Sequence, residues 1–255
     1  MQQLYPQPVQ TVDVEAVYAA DQRPAPPDRP WVLANMVSSV DGATALDGVS
    51  GPLGGAADRF VFAAIRAVPD AILVAGGTVR SERYGPPRLS EASQRRRSER
   101  GQRRLPRLAI VTGSLRLDFD AELFRVAPRQ TMIFTAASAP AGLRARAEQV
   151  AEVVETGDYT VDIGWALRRL RDAGVTTLLS EGGPSLLGQL VEGDFLDEIC
   201  LTSAPLLVGG DSKRIVAGAR PEPRRLRLDR VLAEDGVLFY RYLRDRRQGN
   251  SSAGI

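Results

Sequence analysis

The stretch 176–187, reading Thr-Thr-Leu-Leu-Ser-Glu-Gly-Gly-Pro-Ser-Leu-Leu, constrains this chain more than any other part of it. An apolar run ends in an acidic residue, a glycine pair follows, and a proline opens a segment of helical spacing. That order describes a buried strand running directly into a helix, a unit that needs a sheet to lie in and a further layer to cover it. Gly182 and Gly183 allow backbone to approach a ligand closely, and Pro184 suits a first helical turn. The N–H groups of Ser185 and Leu186 would then face an anion with the helix dipole behind them, so a phosphate or pyrophosphate is the natural guest. Glu181 falls at the strand's carboxyl end, where open α/β sheets place ligand-binding side chains. An ordinary tight connection that binds nothing uses the same residue types.

The rest of the chain repeats the alternation. Residues 31–37 read as a central strand with apolar residues on both faces. Spacing over 56–68 predicts a helix with Phe60, Ala64, Ile65 and Val68 inward, and with Arg59 and Arg66 on one face. Short apolar strands are expected at 71–75, 108–112, 131–135 and 152–155, with helices at 143–150 and 161–173. From residue 198 onward the pattern changes to three strands joined by turns, with a hairpin signal at 233–236. The expected fold is therefore α/β in three layers, with a mixed, mostly parallel central sheet and antiparallel C-terminal strands. Residues 1–29, rich in proline around Pro24, Pro26 and Pro27, read as a surface extension. Residues 30–243 read as one domain, and 244–255 as a frayed tail.

Several chemistries are excluded by what the chain lacks. It has no histidine, which removes His-based triads, His-ligated zinc and His acid–base catalysis. The single Cys200 rules out an intramolecular disulfide and a four-cysteine metal site, so no metal is expected. Lys213 is the only lysine among 33 basic residues, and no P-loop spacing surrounds it. What remains is chemistry carried by a cofactor and positioned by carboxylates, hydroxyls and arginines. No apolar run approaches the roughly 20 residues of a membrane span, and no basic-then-apolar leader opens the chain, so a cytoplasmic location with no membrane partner is expected. A net charge of +2 does not mark a polyanion binder. Arginines 95, 96, 97, 100, 103, 104 and 107 nevertheless crowd one segment. They read as a solvated, mobile surface loop, with a substrate lid or a nucleic-acid patch as the sharper alternatives; no aromatic residue is interleaved to stack a base.

Four motifs occur in order: Asn-Met-Val-Ser-Ser-Val-Asp-Gly at 35–42, Asp-Ala-Ile-Leu-Val-Ala-Gly-Gly-Thr-Val at 70–79, Ser-Glu-Gly-Gly-Pro-Ser-Leu-Leu at 180–187, and Leu-Asp-Glu at 196–198 with Ala-Pro-Leu-Leu-Val-Gly-Gly at 204–210. Together they resemble the RibD C-terminal family, the pyrimidine reductases of riboflavin biosynthesis, which share the fold of dihydrofolate reductase. The resemblance implies NADPH-dependent reduction of 5-amino-6-(5-phosphoribosylamino)uracil by hydride transfer to ribose C1′, in a homodimer with a small phosphorylated pyrimidine as partner and no nucleic acid. It places the cofactor against Val37, Pro52, Thr78, Glu82, Gly113, Ser114 and the turn Gly182, Gly183, Pro184, Ser185 and Leu186. It places substrate against Asn35, Ser50 and Arg66, with Ser38 a second hydroxyl near the ring, and Glu181 as the carboxylate nearest the reacting carbons. Two departures stand out: Asn35 where many relatives carry lysine, and Glu-Arg-Tyr-Gly-Pro-Pro-Arg-Leu at 82–89 where relatives read Asp-x-Pro-x-Leu before a phosphate-binding arginine. Arg88 or a loop arginine is expected to fill that role, with Arg66 and Arg88 holding the phosphate between them. The alternative activity is reduction of a pteridine such as dihydrofolate; the early helix offers such a ring only Asp58.

Overall fold

The computed structural model describes residues 1–125 and 130–246. In chain order the elements are β1 (Gln2–Tyr5), α1 (Val14–Ala20), β2 (Trp31–Ser39), α2 (Ala56–Arg66), β3 (Ala71–Ala75), α3 (Gly76–Ser81) and α4 (Glu91–Glu99). They continue with β4 (Arg107–Val111), α5 (Glu122–Arg125), β5 (Met132–Thr135), α6 (Ala141–Val150), β6 (Glu152–Glu155), α7 (Ile163–Asp172) and β7 (Thr177–Ser180). The last are α8 (Pro184–Glu192), β8 (Glu198–Ala204), β9 (Leu226–Glu234) and β10 (Val237–Arg244). The strands form a single ten-stranded sheet in the order β1-β9-β10-β8-β2-β7-β3-β4-β5-β6. Pairing is parallel from β8 through to β6, and antiparallel where β10 meets β8, where β9 meets β10 and where β1 meets β9.

Strand alternation divides the apolar residues between two cores. Leu33, Ile72 and Val74 face one side with α1, α2, α5 and α6; Val32, Ala34 and Leu73 face the other with α7 and α8. That is the expected three-layer arrangement. The chain runs β2, β3, β4, β5, β6 toward one edge and then returns to insert β7 between β2 and β3. Asp70 fixes the insertion, accepting hydrogen bonds from Thr176 N, Thr176 Oγ1 and Thr177 N at 2.7–3.0 Å. The reversal of strand order opens a crevice at the carboxyl ends of β2, β7 and β3, where α/β sheets bind ligands.

Three sequence expectations are corrected here. Residues 1–29 are not a loose extension: β1 pairs with β9, and Val14 and Tyr18 of α1 are fully buried. The local signal was present, since Asp13 caps α1 by accepting from Ala16 N at 3.0 Å and Val14 and Tyr18 are one turn apart. The arginine-rich segment is not a mobile loop either. Ser90 caps α4, and Arg97 is fully buried, donating to the carbonyl oxygens of Pro69 (2.7 Å), Arg103 (2.8 Å) and Ala67 (3.1 Å). Arg100 adds a second bond to Ala67 O at 2.9 Å. Both guanidinium groups thus satisfy carbonyls at the C-terminal end of α2, where the helix dipole favours a cation. Lastly, Phe60 is 60% exposed and Val61 takes its place in the core. Of the expected tail, Arg246 is tied to Asp197 at 2.7 Å and the remainder from 247 lies outside the described residues.

A buried ionic cluster holds the N-terminal segment to the antiparallel strands. Glu198 is inaccessible to solvent and accepts from Arg23 Nε and Nη2 (both 2.9 Å), Arg241 Nε (2.8 Å) and Trp31 Nε1 (3.1 Å). Asp21 joins it by pairing with Arg23 and Arg230. Burial alone would raise the Glu198 carboxyl; the charges and hydrogen bonds of Arg23 and Arg241 overcome it and bring its pKa from 4.5 to about 2. A carboxyl depressed in the folded state contributes stability above its unfolded pKa and loses it as pH falls through the folded value. Glu198→Gln is therefore expected to cost about 3–5 kcal/mol at neutral pH, because it leaves buried cations short of a counter-charge. It should also flatten the loss of stability between pH 4.5 and about 2. Urea titrations of both proteins across that range check this; equal slopes would show that other carboxylates govern the acid limb.

Candidate functional site

The crevice is a cavity of about 1210 Å³. Its floor is built from the strand ends. Glu181 follows β7 and stays in register with β3, since its N–H donates to Leu73 O at 3.0 Å and Gly182 O accepts from Ala75 N at 2.9 Å. Its carboxylate is clasped from α2: Arg66 Nε donates to Oε1 at 2.7 Å and Arg66 Nη2 to Oε2 at 2.6 Å. The Tyr84 hydroxyl makes a short bond to the same Oε2, and also accepts from Arg66 Nη2 at 2.8 Å. The guanidinium lies 4.2 Å above the Phe62 ring. Burial and the Glu181 charge push the Tyr84 phenol well above its ordinary value, so at neutral pH it keeps its proton and donates it to Glu181. Burial works to lower the Arg66 pKa, but the bonds and charge of Glu181 and Tyr84 outweigh it and the net shift is upward.

One wall is the start of α8. Gly183 is its N-cap residue without a side-chain cap, and the Gly182–Gly183 peptide is cis. A Cβ built on Gly183 would lie 3.0 Å from Thr78 Oγ1 on α3, so the two helix starts leave no room there for a side chain. Leu186 N donates to Gly183 O at 3.0 Å, so of the two expected anion-facing N–H groups Leu186 already has an internal partner.

The opposite wall is made by loops. Asp41 accepts from Gly209 N (2.7 Å), Val208 N (3.2 Å) and Ser39 Oγ (2.5 Å), which together hold its carboxyl down at about 2. This draws the 204–210 segment onto the 39–43 turn. Ser212 Oγ accepts from Thr44 N (3.1 Å) and Ala45 N (3.2 Å), while Thr44 Oγ1 donates to Lys213 O at 2.8 Å. The two loops are therefore joined into one wall, and it carries Lys213. Glu82 closes a corner by accepting from Ser50 N at 2.9 Å.

Of the residues expected to bind or react, Asn35, Val37, Ser50, Thr78, Glu82 and Glu181 line the cavity, and so do Gly183, Pro184, Ser185 and Leu186. Gly182 supports the floor from beneath, Pro52 sits in the turn Gly51–Leu53 behind Ser50, and Gly113 and Ser114 are exposed just past β4, outside the walls. Arg66 stands behind Glu181 rather than open to a ligand. Arg88 is 73% exposed and pairs with Glu122 at 2.8 Å on the surface, and no arginine of the 95–107 cluster lines the cavity. The expected clasp of Arg66 with Arg88 is thus not assembled: one guanidinium is already spent on a carboxylate, and the other is elsewhere. Among the described residues the cations in the walls are Arg59 and Lys213. Sequence reasoning missed the roles of Phe62, Tyr84 and Lys213. The spacing of Asp58, Phe62 and Arg66 by four residues each was the available signal, for it puts all three on one face of α2.

The family description "RibD C-terminal domain" matches residues 30–238. The chain is 31% identical over 221 residues to the 2,5-diamino-6-ribosylamino-4(3H)-pyrimidinone 5′-phosphate reductase of Methanothermobacter thermautotrophicus, covering 83% of this chain and 98% of that one. The protein of the same name from Archaeoglobus fulgidus is 27% identical over 207 residues, covering 80% and 93% of the two chains. Among solved structures, a pyrimidine reductase-like protein from Corynebacterium diphtheriae superposes with a TM-score of 0.81 at 26% identity, over 92% of this chain and 100% of that one. The architecture is the dihydrofolate-reductase-like one of those reductases. With a strand-end carboxylate and a side-chain-free helix start lining one cavity, the chain belongs to the RibD C-terminal family of riboflavin-pathway pyrimidine reductases and is an oxidoreductase using a nicotinamide cofactor.

Proposed function

We propose that this enzyme reduces the ribosylamino group of a 5-amino-6-ribosylaminopyrimidine 5′-phosphate, with NADPH as the reductant. The observation that carries the reading is that Glu181 and the side-chain-free start of α8 line one cavity. The start of α8 fits a cofactor phosphate: its Ser185 N–H and dipole favour an anion, and Gly183 leaves backbone open to it. Arg80, which donates to Arg116 O at 2.9 Å, adds positive charge beside that edge and favours the phosphorylated nicotinamide. The cofactor supplies a hydride to ribose C1′ of the ring-opened sugar, present as an imine with the pyrimidine amine. The protein's own work is to hold the two carbons within about 3–3.5 Å and to exclude water. Glu181, locked by Arg66, offers a fixed carboxylate to orient the substrate, and Tyr84 holds a proton on that carboxylate's Oε2 side. Spectrophotometry of NADPH consumption with the phosphorylated pyrimidine tests the reading directly. No turnover and no binding would end it.

Gly183→Val is expected to weaken NADPH affinity at least about tenfold by displacing Thr78 and covering the α8 start, with the fold retained. Calorimetry that returned unchanged affinity would remove the phosphate from this turn.

For substrate phosphate we assign Arg59 and Lys213 in place of Arg66 and Arg88. A lost charge-assisted contact is worth about 1.5–3 kcal/mol, so Lys213→Ala or Arg59→Ala should raise KM about tenfold or more for the phosphorylated substrate only. Arg66→Ala should harm phosphorylated and dephosphorylated substrates alike, because it unpairs Glu181. Arg88→Ala should change neither. A selective effect of Arg66→Ala on the phosphorylated form would restore the original assignment.

We assign the enzyme to the cytoplasm as a homodimer. Leu201 of β8, Val231 of β9 and Leu238, Tyr240 and Tyr242 of β10 share one half-buried sheet face, opposite the face that packs on α1. A second copy would cover it. Sedimentation should give a dimer, and Tyr240→Glu should shift it toward monomer; a monomeric parent protein would refute the assignment.

Pteridine reduction is retained as a second reading by one observation. Asp58, discounted on sequence grounds, stands in the cavity wall.

A further inference from the structure

Asp58 occupies the first full turn of α2 and faces the cavity, half-buried. Thr202 of β8, itself buried, stands beside its carboxylate and opposes the upward pull of burial on it. Gly54 packs so closely that a Cβ there would lie 2.4 Å from Asp58 Oδ2. The carboxylate is therefore packed against bare backbone of the preceding turn, with a hydroxyl of the sheet nearby. The charge of its sequence neighbour Arg59, whose side chain is exposed, opposes the upward pull of burial without overcoming it. The contrast with Glu181 is direct: that carboxylate has a bidentate arginine and a phenol, whereas Asp58 keeps acceptor capacity toward the cavity.

Phe62, one turn further along the same face, lines the cavity; the Arg66 guanidinium covers one face of its ring and leaves a ligand only the face turned away from it. A planar ring laid on Phe62 would present an edge to Asp58. Six-membered pyrimidine rings differ in what that edge carries. A 2-amino-4-oxopyrimidine presents two donors side by side, N3–H and the 2-amino group, and these match the two oxygens of a carboxylate. A uracil presents N3–H beside the O2 acceptor, whose lone pairs would face a carboxylate oxygen.

We propose that Asp58, with Thr202 beside it, binds the N3–H and 2-amino edge of a 2-amino-4-oxopyrimidine and so selects that ring over a uracil. The inference rests on the reductase reading for the location of the site but not for the choice of ring. The sequence motifs, by their resemblance, imply a uracil at the same place, and the test below separates the two rings. Burial raises the Asp58 carboxyl while Thr202 and Arg59 oppose the shift, the balance of a carboxylate that gains from incoming donors. The same edge occurs on a single-ring ribosylaminopyrimidine and on a fused pteridine.

The test is equilibrium binding by calorimetry in the presence of NADP⁺. The ligands are the stable reduced products of the two pyrimidines, the 2,5-diamino-4-oxo and the 5-amino-uracil ribitylamino 5′-phosphates, with a dihydropterin as the third. The unaltered enzyme should favour the 2-amino ring over the uracil by at least about 100-fold, since a site built to pair a donor rejects an analogue that lacks it. Asp58→Asn should abolish or invert that preference, because an amide offers one acceptor and one donor, the complement of the N3–H and O2 edge. Thr202→Val should reduce the preference in the same direction by a smaller factor. A ratio of two affinities is insensitive to a fraction of misfolded protein, and Thr202→Val leaves the carboxylate in place. If Asp58→Asn weakens only the dihydropterin, the fused ring is the source of the edge; if it weakens the single ring, the ribosylaminopyrimidine is. Equal losses for uracil and 2-amino ligands, or a parent enzyme that prefers uracil, would overturn the inference. A retained ring preference without NADPH consumption on either phosphorylated pyrimidine would instead overturn the reductase reading and leave this one standing.

Discussion

The bidentate pair between Arg66 and Glu181 is the constraint on which the site depends. It joins the last residue of α2 to the carboxyl end of β7, behind the floor of the crevice that the strand insertion opens. Side-chain exposure is 17% for Arg66 and 4% for Glu181, so neither charge is tolerable alone. Because the fork geometry fixes both partners, α2 has one rotational setting relative to β7. Asp58 and Phe62 are then brought to the cavity by helix geometry alone. The pair thus acts as a positioning device whose consequence is felt at residues it does not touch.

A second group of charges does comparable work away from the cavity. Glu198, Arg23, Arg241 and Asp21 attach the N-terminal segment to β8 and β10, while Asp197 accepts from Arg29 and from Val32 N at 2.6–3.0 Å to fix the start of β2. Consecutive carboxylates at the head of β8 therefore anchor opposite flanks of the central strand. Thr202, four residues past Glu198 on β8, is on the face that meets Asp58 because the strand period is two. Register set by these buried charges reaches the ligand wall through a rigid strand rather than through any contact between them.

Much of this was legible in the residues. Strand β7, Glu181 and the start of α8 could be placed from 176–187 because apolar run, acid, glycine pair and proline each report local backbone preference. The mostly parallel sheet with antiparallel closing strands followed from alternation giving way to consecutive strands. Local signals were misread where composition masked them: the prolines at 24–27 hid α1, and the density of arginines hid α4 with its Ser90 cap. Arg97 shows why such a mistake is easy. An arginine is ordinarily solvated, and only the convergence of carbonyls from Ala67, Pro69 and Arg103 makes its burial tolerable.

By itself the sequence determined the secondary-structure alternation, the side-chain-free turn at Gly183, the absence of histidine chemistry and the presence of a carboxylate at the end of a buried strand. Those properties reside in the backbone preferences and functional groups of neighbouring residues. Tertiary structure alone decided which charges are available. Arg66 and Glu181 are 115 residues apart in the chain, and only their meeting commits that arginine to a carboxylate. Likewise Asp58 becomes a cavity-lining carboxylate only because α2 is packed over the end of the crevice by contacts distant in the chain. Whether a charged group is a partner or a ligand is settled by desolvation and distance, and neither quantity exists until the sheet has closed the cavity.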